Sequence, residues 1–354
     1  MEMNIKDILT KAIASEASDL FLVAGRPASC RIHGKVVTVS DTPIMPADTK
    51  ALITEIYALA GNRDITHFET TGDDDFAFAI PGLSRFRVST YKQRGTYSAT
   101  IRIITFTLPD PNALQIPSSV ISISEERSGL VLVTGPAGSG KSTTLACMID
   151  QINKTKQQHI ITLEDPLEFL HPHNQSIVSQ REIHADTKSY VSALRAALRQ
   201  SPDVILLGEM RDYETIDVAM TAAETGHLIL STLHTRGAAS TIDRIIDVFP
   251  ANQQQQICVQ LSLTLRAVVS QQLLPTIQGE MVPAFEVLTM TPAIQSMIRE
   301  KKIHQIEGML YSSSKDTMMS MDSSILQLYQ KGLISKETAL IYATNPEMLK
   351  KRLG

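Results

Sequence analysis

The sequence predicts an α/β fold preceded by a smaller α+β domain, and three observations carry that expectation. Four short apolar segments, 130–134, 159–163, 203–207 and 228–232, recur between helical or loop stretches, which is the spacing of a parallel sheet covered on both faces. A glycine-rich octet stands directly between the first of these segments and a helical stretch, as a strand-turn-helix unit requires. The first hundred residues read instead as successive strands joined by turns. At 354 residues the chain is long enough for two or three domains, each with its own core.

Taken in order, Ile5, Ile8, Leu9, Ala12 and Ile13 form a helical stripe over 5–17, and Asp19 to Val23 read as a short strand punctuated by Gly25 and Pro27. Residues 31–39 suggest a second strand broken at Gly34, and 49–60 a helix ended by Gly61 and Asn62. Strands are expected at 75–80 and 85–90, turned by Pro81 and Gly82, and a third at 98–106. Pro109, Pro111 and Pro117 mark an aperiodic lead into the next unit. Beyond residue 291, four short helices are expected at 292–299, 303–311, 321–330 and 335–342. The nearby Met318, Met319 and Met321 read as packing residues or as an adaptable binding face.

With 33 Lys plus Arg against 37 Asp plus Glu, the net charge is −4, so no general basic field points to nucleic acid and no direct nucleic-acid binding is expected. Cys30, Cys147 and Cys258 are more than a hundred residues apart, without zinc or redox spacing, and read as buried hydrophobes. No apolar signal core opens the sequence and no run approaches the roughly 20 residues that cross a bilayer, so a cytoplasmic address is expected, with attachment to a membrane complex still open.

The octet is Gly135, Pro136, Ala137, Gly138, Ser139, Gly140, Lys141 and Ser142, a complete GxxxxGK[ST] phosphate loop, with Thr143 next in the chain. Glycines let the backbone curl so that successive N–H groups and the helix terminus point at phosphate, while Lys141 adds a mobile positive charge. Ser142 is suited to hold Mg2+ through its hydroxyl. The alternative is a glycine-rich turn that only connects strand to helix. A second apolar strand delivers Glu209, 68 residues after Lys141, as the acid that supports the metal, directly or through water. Asp212 is available either to orient Arg211 or to close a surface ion pair. A third strand delivers Glu164, Asp165 and Glu168 around Pro166; Glu164 is a candidate to align attacking water, against the reading of an acidic turn. Residue types alone leave the division of roles between Glu164 and Glu209 open.

His227 and His234 bracket a further strand, and either is a phosphate-sensing residue or a packing histidine. No histidine pair has metal-ligand spacing. Arg85 and Arg87 fall on one strand face, as a solvated edge or as cations that approach a neighbouring subunit's nucleotide. Arg195 and Arg199, one helical turn apart, read first as structural support.

With these motifs in view, the chain resembles the type IV pilus retraction ATPases, the PilT family within the secretion-ATPase superfamily of P-loop NTPases. The segments that carry the likeness run almost end to end: SDLFLVAGRP (18–27), RFRVSTYKQRG (85–95), GPAGSGKSTTLACMID (135–150), TLEDPLEFLH (162–171), QREIHADTKSY (180–190), GEMRDYETI (208–216) and TAAETGHLILSTLHTRGAASTIDRIIDVFP (221–250). The resemblance implies a PAS-like domain over 1–105, a linker over 106–120, a RecA-like ATPase domain over 121–290 and a helical C-terminal region over 291–354. It implies ATP and Mg2+ as ligands and a homo-hexameric ring. It also implies an inner-membrane platform protein as partner, peripheral placement at the inner face of the cytoplasmic membrane and cooperation with a second retraction ATPase. Carried onto matching positions, it makes Lys141 and Ser142 the phosphate-loop pair, Glu164 the water-activating acid and Glu209 the metal-associated acid. His227 and His234 become the histidine box, and Arg85 and Arg87 cations that reach an adjacent active site.

The departures are specific. The family signature AIRNLIRE reads Ala293-Ile294-Gln295-Ser296-Met297-Ile298-Arg299-Glu300 here, which keeps the apolar register but removes a positive charge at Gln295. Phe21 replaces a histidine common in the family, and Ala137 takes a position often held by threonine. The expected function is ATP-driven pilus retraction and twitching motility. The alternatives are a related secretion, pilus-extension or DNA-uptake ATPase, or a nucleotide-dependent assembly subunit that does not hydrolyse ATP.

Overall fold

A computed structural model describes residues 4–32, 34–104, 108–313 and 318–353. The chain divides into two compact units, Met1–Thr107 with Glu168–Leu170, and Leu108–Leu167 with His171–Gly354.

In the first unit the elements are α1 (Ile5–Ala14), β1 (Asp19–Leu22), β2 (Ser29–Ile32), β3 (Lys35–Thr38), α2 (Pro46–Leu59), α3 (Thr66–Thr71), β4 (Asp73–Ile80), β5 (Ser84–Gln93) and β6 (Thr96–Ile104). The strands form one antiparallel sheet in the order β3-β2-β1-β6-β5-β4. Asn4 accepts the Lys6 N–H and starts α1, whose Ile5, Ile8, Leu9 and Ala12 are buried, as the stripe predicts. Residues 31–39 are not one interrupted strand: Ile32 pairs with Lys35, and Gly34 at φ 78° lies in the reversal between β2 and β3. The third expected strand ends at Ile104 in the described chain; 105 and 106 lie outside the described residues. The sequence does not predict the short α3, because its six residues bury only Phe68 and show no period.

Alternation on β5 sends Phe86 and Val88 into the core and leaves Arg85 and Arg87 half-exposed on the other face. On that face Arg31, Asp19, Arg102 and Arg87 stand directly opposite one another across β2, β1, β6 and β5. Asp19 pairs with Arg31 at 3.4 Å and Arg102 at 3.2 Å.

The second unit holds α4 (Ser118–Ile121), β7 (Gly129–Thr134), α5 (Lys141–Thr155), β8 (His159–Glu164), β9 (Ile177–Glu182), α6 (Tyr190–Ala197), β10 (Val204–Leu207), α7 (Tyr213–Glu224) and β11 (Leu228–Leu233). It continues with α8 (Ala238–Asp247), α9 (Gln254–Thr264), β12 (Leu265–Pro275), β13 (Met281–Thr289), α10 (Pro292–Arg299), α11 (His304–Ser312), α12 (Met321–Gln330), α13 (Lys336–Tyr342) and α14 (Pro346–Leu353). Seven strands run β13-β12-β7-β11-β10-β8-β9, all parallel except β13. The four expected strands form its centre, while β9 and the β12–β13 hairpin extend it. Of the expected linker, 106 and 107 lie outside the described residues, and α4 begins at Ser118.

Every central strand is buried on both faces, which is why each reads as a continuous apolar run. Val131 and Val133 pack with α4 and α5, whereas Leu130 and Leu132 pack with α6 to α11. Ile294 and Ile298 of α10 are fully buried, so the altered signature keeps its packing, and Gln295 stays half-exposed. Met318 and Met321 are buried, which favours packing over an adaptable surface. The C-terminal helices close a small core over Leu274, Val282 and Ala284. All three cysteines are free and buried.

Candidate active site

Because β7, β8, β10 and β11 are parallel, their C-terminal ends share one edge of the sheet, and each predicted motif of this unit except His227 leaves the sheet there. The phosphate loop leaves β7 with Gly135, Gly138 and Gly140 at φ 142°, 76° and 87°, conformations that side chains disfavour. Gly140 caps α5, so the helix begins at Lys141 with its N-terminal N–H groups turned to the loop. Lys141 Nζ donates to the carbonyls of Gly135 and Pro136, each at 3.0 Å, and folds back over the loop. Ser142 and Thr143 follow on the first turn, half-buried. Ser139 Oγ is buried and has no hydrogen-bond partner among the described residues.

Behind the loop stands Gln271 of β12, only 3% exposed. Its carbonyl oxygen lies 2.2 Å from where a Cβ on Gly135 would sit, and its Nε2 lies 2.9 Å from the corresponding point on Gly140. Its Oε1 accepts the Thr144 hydroxyl at 2.7 Å. One residue thus supports both ends of the loop, and no local motif marks it. A cavity of about 290 Å³, lined by Leu114, Ile116, Gly140, Thr143, Thr144 and Gln271, flanks the same helix start.

Glu164 is the last residue of β8, and Gln180 Nε2 reaches its Oε1 at 3.5 Å. Glu209 follows β10 after Gly208; Arg211 donates to its Oε1 at 2.7 Å, and His234 Nε2 lies 3.4 Å from its Oε2. Arg211 therefore pairs with Glu209 rather than with Asp212. Asp212 instead caps α7, accepting the Thr215 N–H and hydroxyl at 2.9 Å each, because a helix start needs an acceptor there. The Tyr190 hydroxyl lies 2.8 Å from the point a Cβ on Gly208 would take, a point itself 3.4 Å from Glu164 Cα. Burial first, and then the negative charges of Glu209, Asp165 and Glu164, push the Tyr190 phenol above its ordinary range. No local motif marks Tyr190, since its partners arrive from other strands.

His234 follows β11 and is exposed beside Glu209. His227 precedes the same strand, seven positions away and so about 23 Å along it. Its Nδ1 lies 3.0 Å from the Ala222 carbonyl near the end of α7. The two histidines are therefore not brought together, and His227 lies at the opposite edge of the sheet beside the end of α7. Arg195 pairs with Glu214 at 2.8 Å, the structural role expected for that helix. Arg85 and Arg87 lie in the first unit, where no described carboxylate is within ion-pair distance of Arg87. Among the described residues no group of three or more His, Cys, Asp or Glu could hold a metal alone. The oxygen donors Ser142 and Glu209 match a hard cation that binds chiefly to phosphate.

The family model described as Type II/IV secretion system protein matches residues 1–338. The chain is 44% identical over 98% of its length to the type IV pilus retraction ATPase PilT of Pseudomonas aeruginosa, covering 99% of that protein. It is 43% identical to a twitching motility protein of Neisseria gonorrhoeae, over 90% of this chain and 85% of that one. PilU, a type IV pilus ATPase of P. aeruginosa, is 39% identical over 98% of this chain and 91% of its own. Among solved structures, a crystal structure of the pilus retraction motor PilT with bound ADP superposes with a TM-score of 0.90 at 44% identity, covering 99% of this chain and 100% of that one. The Legionella pneumophila ATPase DotB gives 0.77 at 26% identity over 95% and 94%. The sheet order, the phosphate loop and this likeness across nearly the whole length agree: the chain belongs to the PilT family of secretion ATPases and has their RecA-like ATPase core.

Proposed function

We propose that the chain is the ATP-hydrolysing motor of type IV pilus retraction and twitching motility. The observation that carries the catalytic part is the convergence of the phosphate loop, Glu164, Glu209 and His234 on one sheet edge. ADP bound to the similar PilT structure supports a nucleotide at this loop. The local fit supports it too: loop glycines where a Cβ would collide, and a buried Ser139 hydroxyl without a partner among the described residues.

In the proposed mechanism, residues 135–143 bind the ATP phosphates through backbone N–H groups and the start of α5, and Lys141 exchanges its two carbonyl partners for phosphate oxygens. The apolar cavity beside Thr143 accommodates the base side of the nucleotide. Ser142 and Glu209 hold Mg2+, directly or through water, and the ion supplies neutralisation of phosphate charge. Glu164 aligns the attacking water, since a carboxylate at the end of the adjacent strand can accept its proton. His234 and Arg211 steady Glu209 from either side.

Arg85 and Arg87 serve as trans-acting cations for a neighbouring subunit within a homo-hexamer, compensating charge that develops on the transferred phosphoryl group. Arg87 is half-exposed and has no carboxylate within ion-pair distance among the described residues, which supports this reading, whereas Arg102 opposite it is already paired with Asp19. The membrane partner is the platform protein of the pilus machine, reached from the cytoplasmic face. Among the described residues no helix is long and apolar enough to cross a membrane. The PilU relative supports cooperation with a second ATPase.

The test pairs chemistry with mechanics. Glu164→Gln should bind ATP normally yet lose at least about a hundredfold in turnover, and cells carrying only Lys141→Ala should display static pili under direct imaging. Wild-type turnover in Glu164→Gln would remove its assigned role, and normal retraction with Lys141→Ala would remove the motor reading.

A further inference from the structure

Glu286 of β13 is a carboxylate the proposed chemistry does not use, and it is only 8% exposed. Its Oε1 accepts the N–H of Ala238 at 2.7 Å, and its Oε2 accepts the N–H of Met321 at 3.4 Å. These are the first residues of α8 and α12, two ten-residue helices from distant parts of the chain. The N-cap of α8 is Gly237, which has no side chain to do this work, so Glu286 supplies the missing acceptor. Ser270, directly opposite Glu286 in the hairpin, accepts the Gly237 N–H at 2.9 Å. Ser270 in turn lies opposite Thr134, the residue before the phosphate loop. Thr235, next to His234, closes the circuit through Thr241 at 2.7 Å.

On its other side Glu286 leads into the C-terminal helices. Its neighbour Val287 exchanges both backbone hydrogen bonds with Met319, at 2.8 and 2.9 Å. Asp322 follows Met321 and accepts the Tyr311 hydroxyl at 2.8 Å and the N–H groups of Thr344 and Asn345 at 2.6 and 2.9 Å. Burial pushes the Glu286 carboxyl up, the two N–H groups hold it down, and Glu307 and Asp322 push it up again. No described cation pairs with it, so the two helix heads are its hydrogen-bond partners, and moving either one leaves a buried carboxyl oxygen without its donor. A cavity of about 640 Å³ opens beside the carboxylate, lined by both Pro136–Ser139 of the phosphate loop and Ser320, Met321 and Tyr311 of the C-terminal region.

We infer that Glu286 is a positioning residue that ties the segment after His234 to α12, so that nucleotide at the phosphate loop is felt by the C-terminal helices. This rests on the nucleotide-binding reading above. The coupling is local and physical: a shift of the α8 head must break the 2.7 Å bond or carry Glu286, and with it α12.

Hydrogen–deuterium exchange on the full chain with and without ADP tests it. In the unaltered protein ADP should slow exchange at the phosphate loop, and by about tenfold in α12. Glu286→Gln retains the shape and one acceptor but replaces the other acceptor oxygen with an NH2 donor. It should keep the protection at the loop while the effect in α12 falls below about twofold. Met321→Pro provides the second variant: it removes the α12 N–H at a helix position that tolerates proline, together with the buried Met321 side chain, so Met321→Ala, which keeps the N–H, serves as its control; only the proline should give the same split. Full ADP-dependent protection of α12 in both variants, or protection confined to the phosphate loop in the unaltered protein, overturns the coupling. Absence of protection at the phosphate loop itself overturns the nucleotide reading and the coupling with it.

Discussion

Replacing Gln271 with leucine isolates the support beneath the phosphate loop. Thr144 is fully buried, and its hydroxyl donates to Gln271 Oε1 over 2.7 Å. Leucine matches the size but strands that hydroxyl, a loss of about 2 kcal/mol within the usual range for an unsatisfied buried donor. In a domain of this size that lowers the midpoint by roughly 4–8 °C. Adding Thr144→Val removes the stranded group and should restore most of the stability, since taking away both partners of a buried bond is close to neutral. ADP affinity should not return with it. Gln271 Nε2 also backs Gly140, and its loss should weaken binding about tenfold in the single and double variants alike. Calorimetric melting without nucleotide and ADP titration of the same four proteins complete the cycle. An unchanged melt for Gln271→Leu, or destabilisations that add instead of cancelling, would refute the reasoning.

Gly135→Ala would place a Cβ 2.2 Å from the Gln271 carbonyl at φ 142°, and should abolish ADP binding by displacing the loop backbone, as titration would register. Lys141→Ala should weaken ATP binding by at least about a hundredfold in a direct binding assay, through loss of a charge-assisted contact. His171 is buried, and that burial lowers it from 6.5 to about 4, against a smaller opposing pull from Asp150. The folded protein then binds fewer protons than the unfolded chain, so stability should fall as pH drops below 6.5 and the loss should be complete below about 4. The full effect amounts to roughly 3 kcal/mol. Melting as a function of pH should show that slope, and His171→Leu should flatten it.

Much of the catalytic edge was legible because its signals are local. An apolar strand followed by glycine, lysine and serine can be read without knowing what lies beside it, and the same holds for the carboxylates at the end of β8 and just beyond β10. Strand β9 is less legible, since its middle residues Ser179, Gln180 and Arg181 are polar and half-buried and never form an apolar run. The roles of Asp212 and Arg211 depended on which of them met Glu209, a matter of side-chain geometry at a helix start. No local signal marks Gln271 or Glu286, because their partners are 127 and 48 positions away along the chain.

By itself the sequence determined that this protein carries a phosphate loop on a parallel sheet, because backbone conformation and strand burial are imposed by neighbouring residues. Only the tertiary structure decided which polar groups share a site. It set His234 against Glu209 and sent His227 to the far end of the same strand. It also placed a buried carboxylate between two helix heads, since strand order, not chain order, determines which charges meet.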